Sequence, residues 1–470
     1  MKVQQLFTGC LAEMAYYIVS NGEAAIVDPL RETAPYLALA SADNAKIKYI
    51  FLTHFHADFV SGHVDLARET GASIVLGPTA TAAFDMHQGK DGERFPLGAV
   101  SIELLHTPGH TMESVSYVLI DEVGKKHCVF TGDCLFIGDV GRPDLAVNKS
   151  MSQEDLAGHL FDSLRNKLMP LPDDILVYPN HGAGSACGKM MSKETYDTLG
   201  NQKRHNYALR ADMSREDFIR EVSTGLTKPP QYFPKNVQMN KGVNQSIDTL
   251  LRKGTTAITP AQFKQLSSQE NILVIDTRSV EVVEQGTVPG AWFIGIDGAF
   301  APWVGTLVAS LEQEIIFICD PGRVQEVVTR FARVGYDAVS GFLDGGMEAW
   351  QAAGYPVESF QSVTADRFAK KLKTGKAGTV LDVRKASEYA SEHVQGVANF
   401  PLDYLLTNLS KIDPDQTYTL HCLGGYRSLI ASSIFKARGI SQVTHVTGGF
   451  KAIKQAAVAL TDYICPTTLL

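Results

Sequence analysis

The sequence predicts a multidomain protein of mixed α/β and α+β class, and three observations support this fold class. The chain has 470 residues, whereas a typical domain has roughly 100 to 200. Its first half alternates short apolar runs with polar loops, as buried strands and their connections do. Its second half contains one strand-and-helix pattern twice. We therefore expect three domains, at 1–245, 246–358 and 359–470.

Composition and charge are those of an ordinary globular chain. The sequence is 44% hydrophobic and 20% charged, with a net charge of −8, so it lacks the basic balance of nucleic-acid-binding domains. No apolar run reaches the roughly 18 residues that span a bilayer, and no secretory leader pattern opens the chain. Seven cysteines without a CxxC pair indicate free thiols. We expect a cytoplasmic homo-oligomer with no nucleic-acid or membrane partner.

The first half contains six apolar runs that predict buried strands. After them, the stretch from about Leu226 to Asn244 is polar and contains three prolines. This composition predicts an interdomain linker at the end of the first domain. The predicted strands are Tyr16–Val19, Ala25–Val27, Tyr49–Leu52, Ser73–Leu76, Val129–Phe130 and Ile175–Val177.

Histidine and aspartate side chains follow several of these strands. The cluster Thr53-His54-Phe55-His56-Ala57-Asp58 comes directly after the strand that ends at Leu52. Strand ends can converge on one rim of a sheet sandwich, and imidazole and carboxylate groups are common metal ligands. The sequence therefore predicts a metal site. The further ligand candidates at later strand ends are His110, Asp133 and His181.

This pattern, HxHxD followed by His, Asp and His, resembles the metallo-β-lactamase superfamily over about the first 225 residues. The resemblance implies an αββα sandwich. Phe59 stands where the hydrolases of the superfamily have the last histidine of HxHxDH, which binds a second metal together with the preceding aspartate. Because phenylalanine has no lone pair to donate, we expect a single ion.

Two ligand arrangements are open on the residues alone. His54, His110 and Asp133 would form the triad of two histidines and one carboxylate that holds Fe(II) with open positions. Zinc with an added His56 contact would instead activate a water for hydrolysis. The chain resembles the persulfide dioxygenase branch of the superfamily, which uses the triad at these positions and leaves the second histidine out. The resemblance places three further residues near the metal: His56, Asp58 and His181.

The resemblance implies one Fe(II) ion per chain and the oxidation of glutathione persulfide, or another low-molecular-weight persulfide, by dioxygen to sulfite. The same branch carries an arginine after the metal-binding aspartate, which matches Arg142. The planar guanidinium group of Arg142 can bind a substrate carboxylate through two hydrogen bonds, so we expect Arg142 to have a catalytic and substrate-binding role. A salt bridge with Asp139 or Asp144 explains it equally well.

Two cysteines lie near the predicted metal ligands. Cys187 follows His181 by six residues in a glycine-rich loop, and it is either a reactive thiol at the metal mouth or a packed one. Cys134 follows Asp133, and we expect it to face the core. Two other functions stay open for this half: a zinc thioester hydrolase resembling glyoxalase II, and a non-catalytic sulfur-carrier scaffold.

The second half is an internal repeat. The segment Val274–Arg278 recurs as Val380–Arg384, and Gly345-Gly346 recurs as Gly448-Gly449. Each copy has a strand, an acid-Arg turn, a second strand ending in a loop, an amphipathic helix and a Gly-Gly turn. This order predicts two α/β domains with parallel sheets.

In the second copy, Cys422 lies between a strand and a helix in the loop Cys422-Leu423-Gly424-Gly425-Tyr426-Arg427. Backbone N–H groups and a helix N-terminus stabilise a thiolate there and hold an anion. The loop resembles the rhodanese active site and is shorter than that of the related phosphatases, which implies transfer of sulfane sulfur, with thiosulfate or sulfite as partner. The resemblance makes Cys422 the persulfide-carrying nucleophile and Arg427 a catalytic residue. It assigns substrate binding to Leu423, Gly424, Gly425 and Tyr426.

In the first copy, Cys319 occupies the nucleophile's position, but its surroundings are unfavourable. Pro321 removes a backbone donor, Asp320 adds an anion beside the thiol, and Val324 replaces the arginine. We therefore expect this degenerate module to be inactive, with a packing or docking role. The two activities fit one pathway of hydrogen sulfide metabolism, in either direction of sulfur transfer.

Overall fold

The computed structural model describes residues 1–226 and 228–465. The chain forms two compact units. The first takes in Met1–Asp248 with the short segment Ala332–Gly335, and the second takes in Thr249–Phe331 and the chain from Tyr336 onward. Among the described residues, no helix combines the length and the apolar character needed to cross a membrane.

The described part of the first unit contains twelve strands and six α-helices up to Lys241, and the six predicted strands are all present. Its strands are β1 Lys2–Thr8, β2 Glu13–Ser20, β3 Glu23–Val27, β4 Lys46–Phe51, β5 Ser73–Leu76, β6 His87–Gln88, β7 Arg94–Leu97, β8 Val100–His106, β9 Val115–Ile120, β10 Lys126–Gly132, β11 Leu176–Pro179 and β12 Asp197–Thr198. Its helices are α1 Ala34–Ala42, α2 His63–Thr70, α3 Gln153–Ser163, α4 Leu199–His205, α5 Arg215–Ser223 and α6 Phe233–Lys241.

These strands form two six-stranded sheets, in the orders β1-β2-β3-β4-β5-β6 and β12-β11-β10-β9-β8-β7. The sheets share one apolar core, to which Tyr16 and Phe51 contribute from the first sheet and Tyr117 and Phe130 from the second. The other face of the first sheet packs with residues of α1 and α2, and that of the second packs with α3 and α5. The expected αββα sandwich is confirmed.

The predicted linker is in part helical. Helix α6 begins at Phe233, and Pro234 is tolerated in its first turn because the N–H groups there have no intrahelical partner. Its Asn236 and Asn240 are buried. The prediction of an exposed linker was wrong for α6, because its polar residues include amides that are buried within the first unit and not exposed to solvent.

The second unit consists of two five-stranded parallel sheets, in the orders β13-β17-β16-β14-β15 and β18-β22-β21-β19-β20. The two orders are the same permutation, so the internal repeat is structural. The strands are β13 Ala257–Ile258, β14 Ile272–Asp276, β15 Trp292–Phe293, β16 Glu314–Ile318, β17 Val339–Leu343, β18 Gln361–Val363, β19 Thr379–Asp382, β20 Ala398–Asn399, β21 Tyr418–His421 and β22 Val443–Val446.

Helices cover these parallel sheets, as right-handed crossover connections require. They are α7 Ile247–Gly254, which begins at the end of the first unit, α8 Pro260–Ser267, α9 Val280–Gln285, α10 Phe300–Leu307, α11 Val324–Arg333, α12 Gly346–Ala352, α13 Ala365–Lys373, α14 Ala386–Ser391, α15 Leu405–Asn408, α16 Tyr426–Ala437 and α17 Gly449–Ile453.

Candidate metal centre and thiol loop

The structure brings the three predicted metal ligands together at one edge of the sandwich. His54 follows β4, His110 lies in the loop after β8, and Asp133 follows β10. All three are buried, and their ligand atoms lie within 4.8 Å of one another. The Asp133 Oδ2 atom lies 3.5 Å from His110 Nε2 and 4.0 Å from His54 Nε2.

The hydrogen bonds around the two imidazoles fix their tautomers. His110 Nδ1 lies 2.9 Å from the Arg142 carbonyl oxygen, so this nitrogen carries the proton. The Thr53 hydroxyl donates to Asp28 at 2.8 Å and therefore accepts from His54 Nδ1, 3.0 Å away. Burial, and next the neighbouring histidines, lower the pKa of His54 well below its usual range. Both Nε2 atoms therefore present lone pairs, as metal ligands must.

Asp133 is the part of the site that demands a cation. Its carboxylate is 2% exposed, and neither of its oxygens has a hydrogen-bond partner. A buried carboxylate without a hydrogen-bond partner is unfavourable by several kcal/mol, and His181 Nε2, 3.7 Å away, is too distant to supply that bond. Together with the two imidazole Nε2 atoms, this carboxylate is a donor set that fits a divalent metal ion.

Asp28 is a positioning residue that the sequence analysis missed. It follows β3 and has a φ of 50°, a left-handed conformation that aspartate adopts more easily than most residues. Its Oδ1 accepts from the Thr53 backbone at 2.8 Å and lies 3.0 Å from His56 Nε2. Its position after an apolar strand was the signal for it in the sequence.

His56 is directed to Asp28, and the structure does not group it with the candidate ligands. Phe59 stacks on the His56 ring at 4.3 Å between centroids. Helix α6 fixes the loop that carries His56 and Phe59, because the Asn240 side-chain amide donates to the carbonyl oxygens of these two residues at 2.8 and 2.7 Å. The second histidine of the motif therefore supports the loop.

A second group of donors lies beside the first. Asp58, His181 and Cys187 are buried, with ligand atoms within 4.8 Å of one another. His181 Nε2 lies 3.4 Å from Asp58 and 3.7 Å from Asp133. Cys187 thus contributes a thiol to this second group of donors, whereas Phe59 contributes no ligand atom. The expected single ion stays a prediction that metal analysis must test.

The charges in this second group are strongly coupled. Burial lowers the pKa of His181, but the carboxylates of Asp58 and Asp133 outweigh burial and raise that pKa well above its usual range. Burial, and next the same two carboxylates, raise the pKa of the Cys187 thiol to about 12. Without a metal, Cys187 is therefore a neutral thiol and His181 a cation.

Arg142 is engaged in a salt bridge, which was one of the two alternatives. Its guanidinium makes a bidentate pair with Asp144 at 2.6 and 2.7 Å and donates to the Ala186 carbonyl at 3.1 Å. Its backbone carbonyl meanwhile orients His110. Arg142 therefore positions the metal loop, and its substrate-anchoring role stays a prediction that requires the Asp144 pair to open.

Two other buried groups complete this region. Cys134 lies in the apolar core against α3, as expected. Glu13, on β2, is fully buried with both oxygens unpartnered. Burial raises the pKa of Glu13 well above its usual range, so this carboxyl is neutral. The sequence analysis had no signal for Glu13, because its strand reads as an ordinary apolar one.

The Cys422 loop lies between β21 and α16, and one backbone N–H group reaches its thiol. The Cys422 thiol is buried and accepts from the Gly425 backbone N–H at 3.1 Å, at the start of α16. The Ser428 hydroxyl lies 3.6 Å from the sulfur. A Cβ on Gly449 would lie 2.4 Å from the Cys422 carbonyl oxygen, so the Gly-Gly turn must lack a side chain there. Leu423 is 38% exposed at the mouth of the loop.

Arg427 and Tyr426 extend from this loop in different directions. The Arg427 guanidinium pairs with Glu388 on α14, a partner that the sequence analysis did not find. The Tyr426 hydroxyl donates to the Gly295 carbonyl of the first copy at 2.7 Å, and its ring packs edge-on against Phe293 at 5.5 Å. The degenerate copy thus supports the loop of the other.

The corresponding loop of the first copy differs as expected. Burial, and next Asp320, raise the pKa of the Cys319 thiol to about 12, which disfavours a thiolate. Arg323 is paired with Asp297 at 2.7 Å and with Glu326. The inactivity of this module stays a prediction.

Comparison with known proteins supports the folds assigned to both halves of the chain. Residues 8–181 match the metallo-β-lactamase superfamily, and 259–353 and 364–456 match the rhodanese-like domain. The mitochondrial persulfide dioxygenase ETHE1 of Homo sapiens is 32% identical over 213 residues, 44% of this chain and 75% of that protein. Hydroxyacylglutathione hydrolase GloC of Haemophilus influenzae is 29% identical over 204 residues, 39% of this chain and 85% of that protein. A metallo-β-lactamase crystal structure from Staphylococcus aureus subsp. aureus COL aligns with a TM-score of 0.63 at 30% identity, covering 73% of this chain and 98% of that one.

Proposed function

This chain belongs to the metallo-β-lactamase superfamily and carries two rhodanese-like domains, and from that premise we propose that it is a mononuclear Fe(II) persulfide dioxygenase coupled to sulfur transfer through Cys422. The proposed substrates are a low-molecular-weight persulfide such as glutathione persulfide, and dioxygen. Sulfite is the proposed product.

One observation carries the first half of this proposal: the buried carboxylate of Asp133 has no hydrogen-bond partner and lies within 4.8 Å of a ligand nitrogen on each of two buried imidazoles. Two histidines and one carboxylate are the ligand set of Fe(II) oxygenases, which leave open coordination positions. A zinc hydrolase site would use a further histidine; the Nε2 atom of His56 is bound to Asp28, whereas its Nδ1 atom has no hydrogen-bond partner. The ligand set therefore favours iron.

Bound in this triad, Fe(II) would supply the one-electron chemistry by which dioxygen reacts with a persulfide sulfur. The chain's own residues would hold the site in shape. Asp28 orients His54 through Thr53, and the Arg142 carbonyl orients His110. Cys187 would border the substrate, either as a reactive thiol or as part of the wall.

In the second unit, Cys422 would take the outer sulfur of a donor. Its thiolate attacks that sulfur, a new S–S bond forms, the donor's S–S bond breaks, and the electron pair departs with the leaving group. The Gly425 N–H is placed to stabilise the thiolate before attack. This reaction could supply a persulfide to the iron site, or consume sulfite from it to give thiosulfate.

A second candidate function is a zinc thioester hydrolase. The similarity to hydroxyacylglutathione hydrolase GloC favours it, and so does the donor group Asp58, His181 and Cys187, which could hold a second ion. Against it stands Phe59, which contributes no ligand. The fused rhodanese-like domains favour sulfur chemistry over thioester hydrolysis.

Activity distinguishes the two candidates. The protein, purified without oxygen and reconstituted with Fe(II), is offered glutathione persulfide in an oxygen electrode and, separately, a glutathione thioester. The proposal predicts persulfide-dependent oxygen uptake with release of sulfite. Thioester hydrolysis without oxygen uptake would select the hydrolase, and neither reaction would leave a non-catalytic sulfur carrier.

A further inference from the structure

The guanidinium of Arg427 is already occupied by a carboxylate. Its Nη1 and Nη2 atoms donate to Glu388 Oε2 and Oε1 at 2.6 and 2.8 Å, a bidentate pair. Glu388 is itself held in place, because its Oε2 also accepts from the Lys385 backbone N–H at 3.1 Å. The Arg427 and Glu388 side chains are 15% and 29% exposed, so solvent only partly screens their attraction.

A neighbouring arginine is likewise paired with a carboxylate. Arg384, which follows β19, forms a salt bridge with Asp382 at 2.6 Å, and its guanidinium lies over the Phe450 ring. The Cys422 loop therefore presents to an anion the Gly425 backbone N–H and an arginine whose charge Glu388 balances.

The donors that such a loop could accept differ in charge at the departing group. From thiosulfate, the leaving group is sulfite, a dianion that must be held beside Arg427 in competition with Glu388. From a thiol persulfide, the leaving group is a single thiolate without a sulfonate. In both cases Cys422 gains one sulfur, one S–S bond replaces another, and no net oxidation occurs.

We propose that Glu388 is a specificity-determining residue that, by occupying the Arg427 fork, makes the Cys422 loop favour thiol persulfides over thiosulfate as sulfur donors. This inference rests on the proposed sulfur-transfer function of Cys422. Glu388 is not a catalytic residue, because it acts on the donor through Arg427.

The test compares Glu388→Gln with the unaltered full chain, without oxygen so that the first unit does not consume the persulfide. Thiosulfate and glutathione persulfide are the donors and cyanide is the acceptor, with the spontaneous reaction subtracted. Releasing a charge-assisted bidentate pair of partial exposure should lower KM for thiosulfate roughly tenfold. KM for the persulfide should change less than about twofold, since its leaving group carries no sulfonate to hold. Glu388→Asp, a second variant, should give an intermediate ratio.

Glu392→Gln is the matched control. Glu392 lies four residues after Glu388 and pairs with Lys454 at 2.6 Å. The Glu392→Gln substitution therefore removes the same charge and leaves the Arg427 pair in place. Its ratio of the two KM values should equal that of the unaltered chain. An unchanged ratio in Glu388→Gln, or a parallel rise of both KM values, would overturn the specificity role. If the unaltered chain transfers no more sulfur than Cys422→Ser, the proposed function fails as well.

Discussion

Replacing Asp28 with asparagine tests how the protein prepares His54 for a metal. In the structure, Asp28 Oδ1 accepts from the Thr53 backbone and faces His56, while Oδ2 accepts the Thr53 hydroxyl proton. Asparagine can keep the Oδ1 contacts but presents N–H groups where Oδ2 was. The Thr53 hydroxyl must then donate elsewhere, and His54 Nδ1 is 3.0 Å away. His54 would thus hold its proton on Nε2, which cannot bind a metal.

The expected magnitude follows from that single reversed hydrogen bond. Loss of a partner that orients a metal ligand weakens metal affinity about 10- to 100-fold, equal to about 1.4 to 2.7 kcal/mol. The assay is anaerobic titration of the metal-free protein with Fe(II) against a competing chelator. Oxygen uptake at saturating iron should recover in large part, since the triad itself is intact.

Asp276→Asn is the control for this experiment. Like Asp28, Asp276 is fully buried. Asp276 pairs with Arg278 and lies in the first rhodanese-like module, away from the candidate metal ligands in sequence. The Asp276→Asn substitution should leave the iron dissociation constant unchanged, whatever its effect on the free energy of unfolding. An iron dissociation constant for Asp28→Asn within about twofold of the unaltered protein would refute the tautomer argument, because the reversed bond should cost at least tenfold.

Three further substitutions test the separate parts of the account. Asp133→Ala should abolish iron binding and oxygen uptake, since it removes the charged ligand, while sulfur transfer from thiosulfate persists; loss of both activities would contradict independent sites. Cys422→Ser should abolish sulfur transfer and spare oxygen uptake, and retained transfer would move the nucleophile to Cys319 or elsewhere. Phe59→His should raise the metal content above one ion per chain, because it adds a lone pair next to Asp58 in the chain, and Asp58 already belongs to a second group of donors. An unchanged content, measured by elemental analysis against protein concentration, would show that Phe59 does not limit occupancy.

The sequence predicted those features whose evidence is local. Apolar runs located the strands, and the short spacing of His54, His56 and Asp58 located the candidate site, because residues this close follow a single strand end. The repeat of an acid-Arg turn located the two modules with parallel sheets. Each of these features depends on neighbours within a few residues.

The features that the sequence analysis missed depend on contacts between distant segments. Asp28 reaches Thr53 only because β3 and β4 are adjacent in the sheet. Asn240 reaches His56 across a separation of 184 residues, from a segment whose polarity resembled a linker. Cys187 meets Asp58 through the path of a loop that has no periodic pattern. Sequence spacing cannot reveal such pairings.

The metal content of the protein purified without oxygen tests the central claim most directly. Elemental analysis should find one iron per chain in the unaltered protein, and none in Asp133→Ala. Two zinc ions per chain, with Asp58, His181 and Cys187 as the second set of ligands, would contradict the mononuclear iron site and favour the hydrolase.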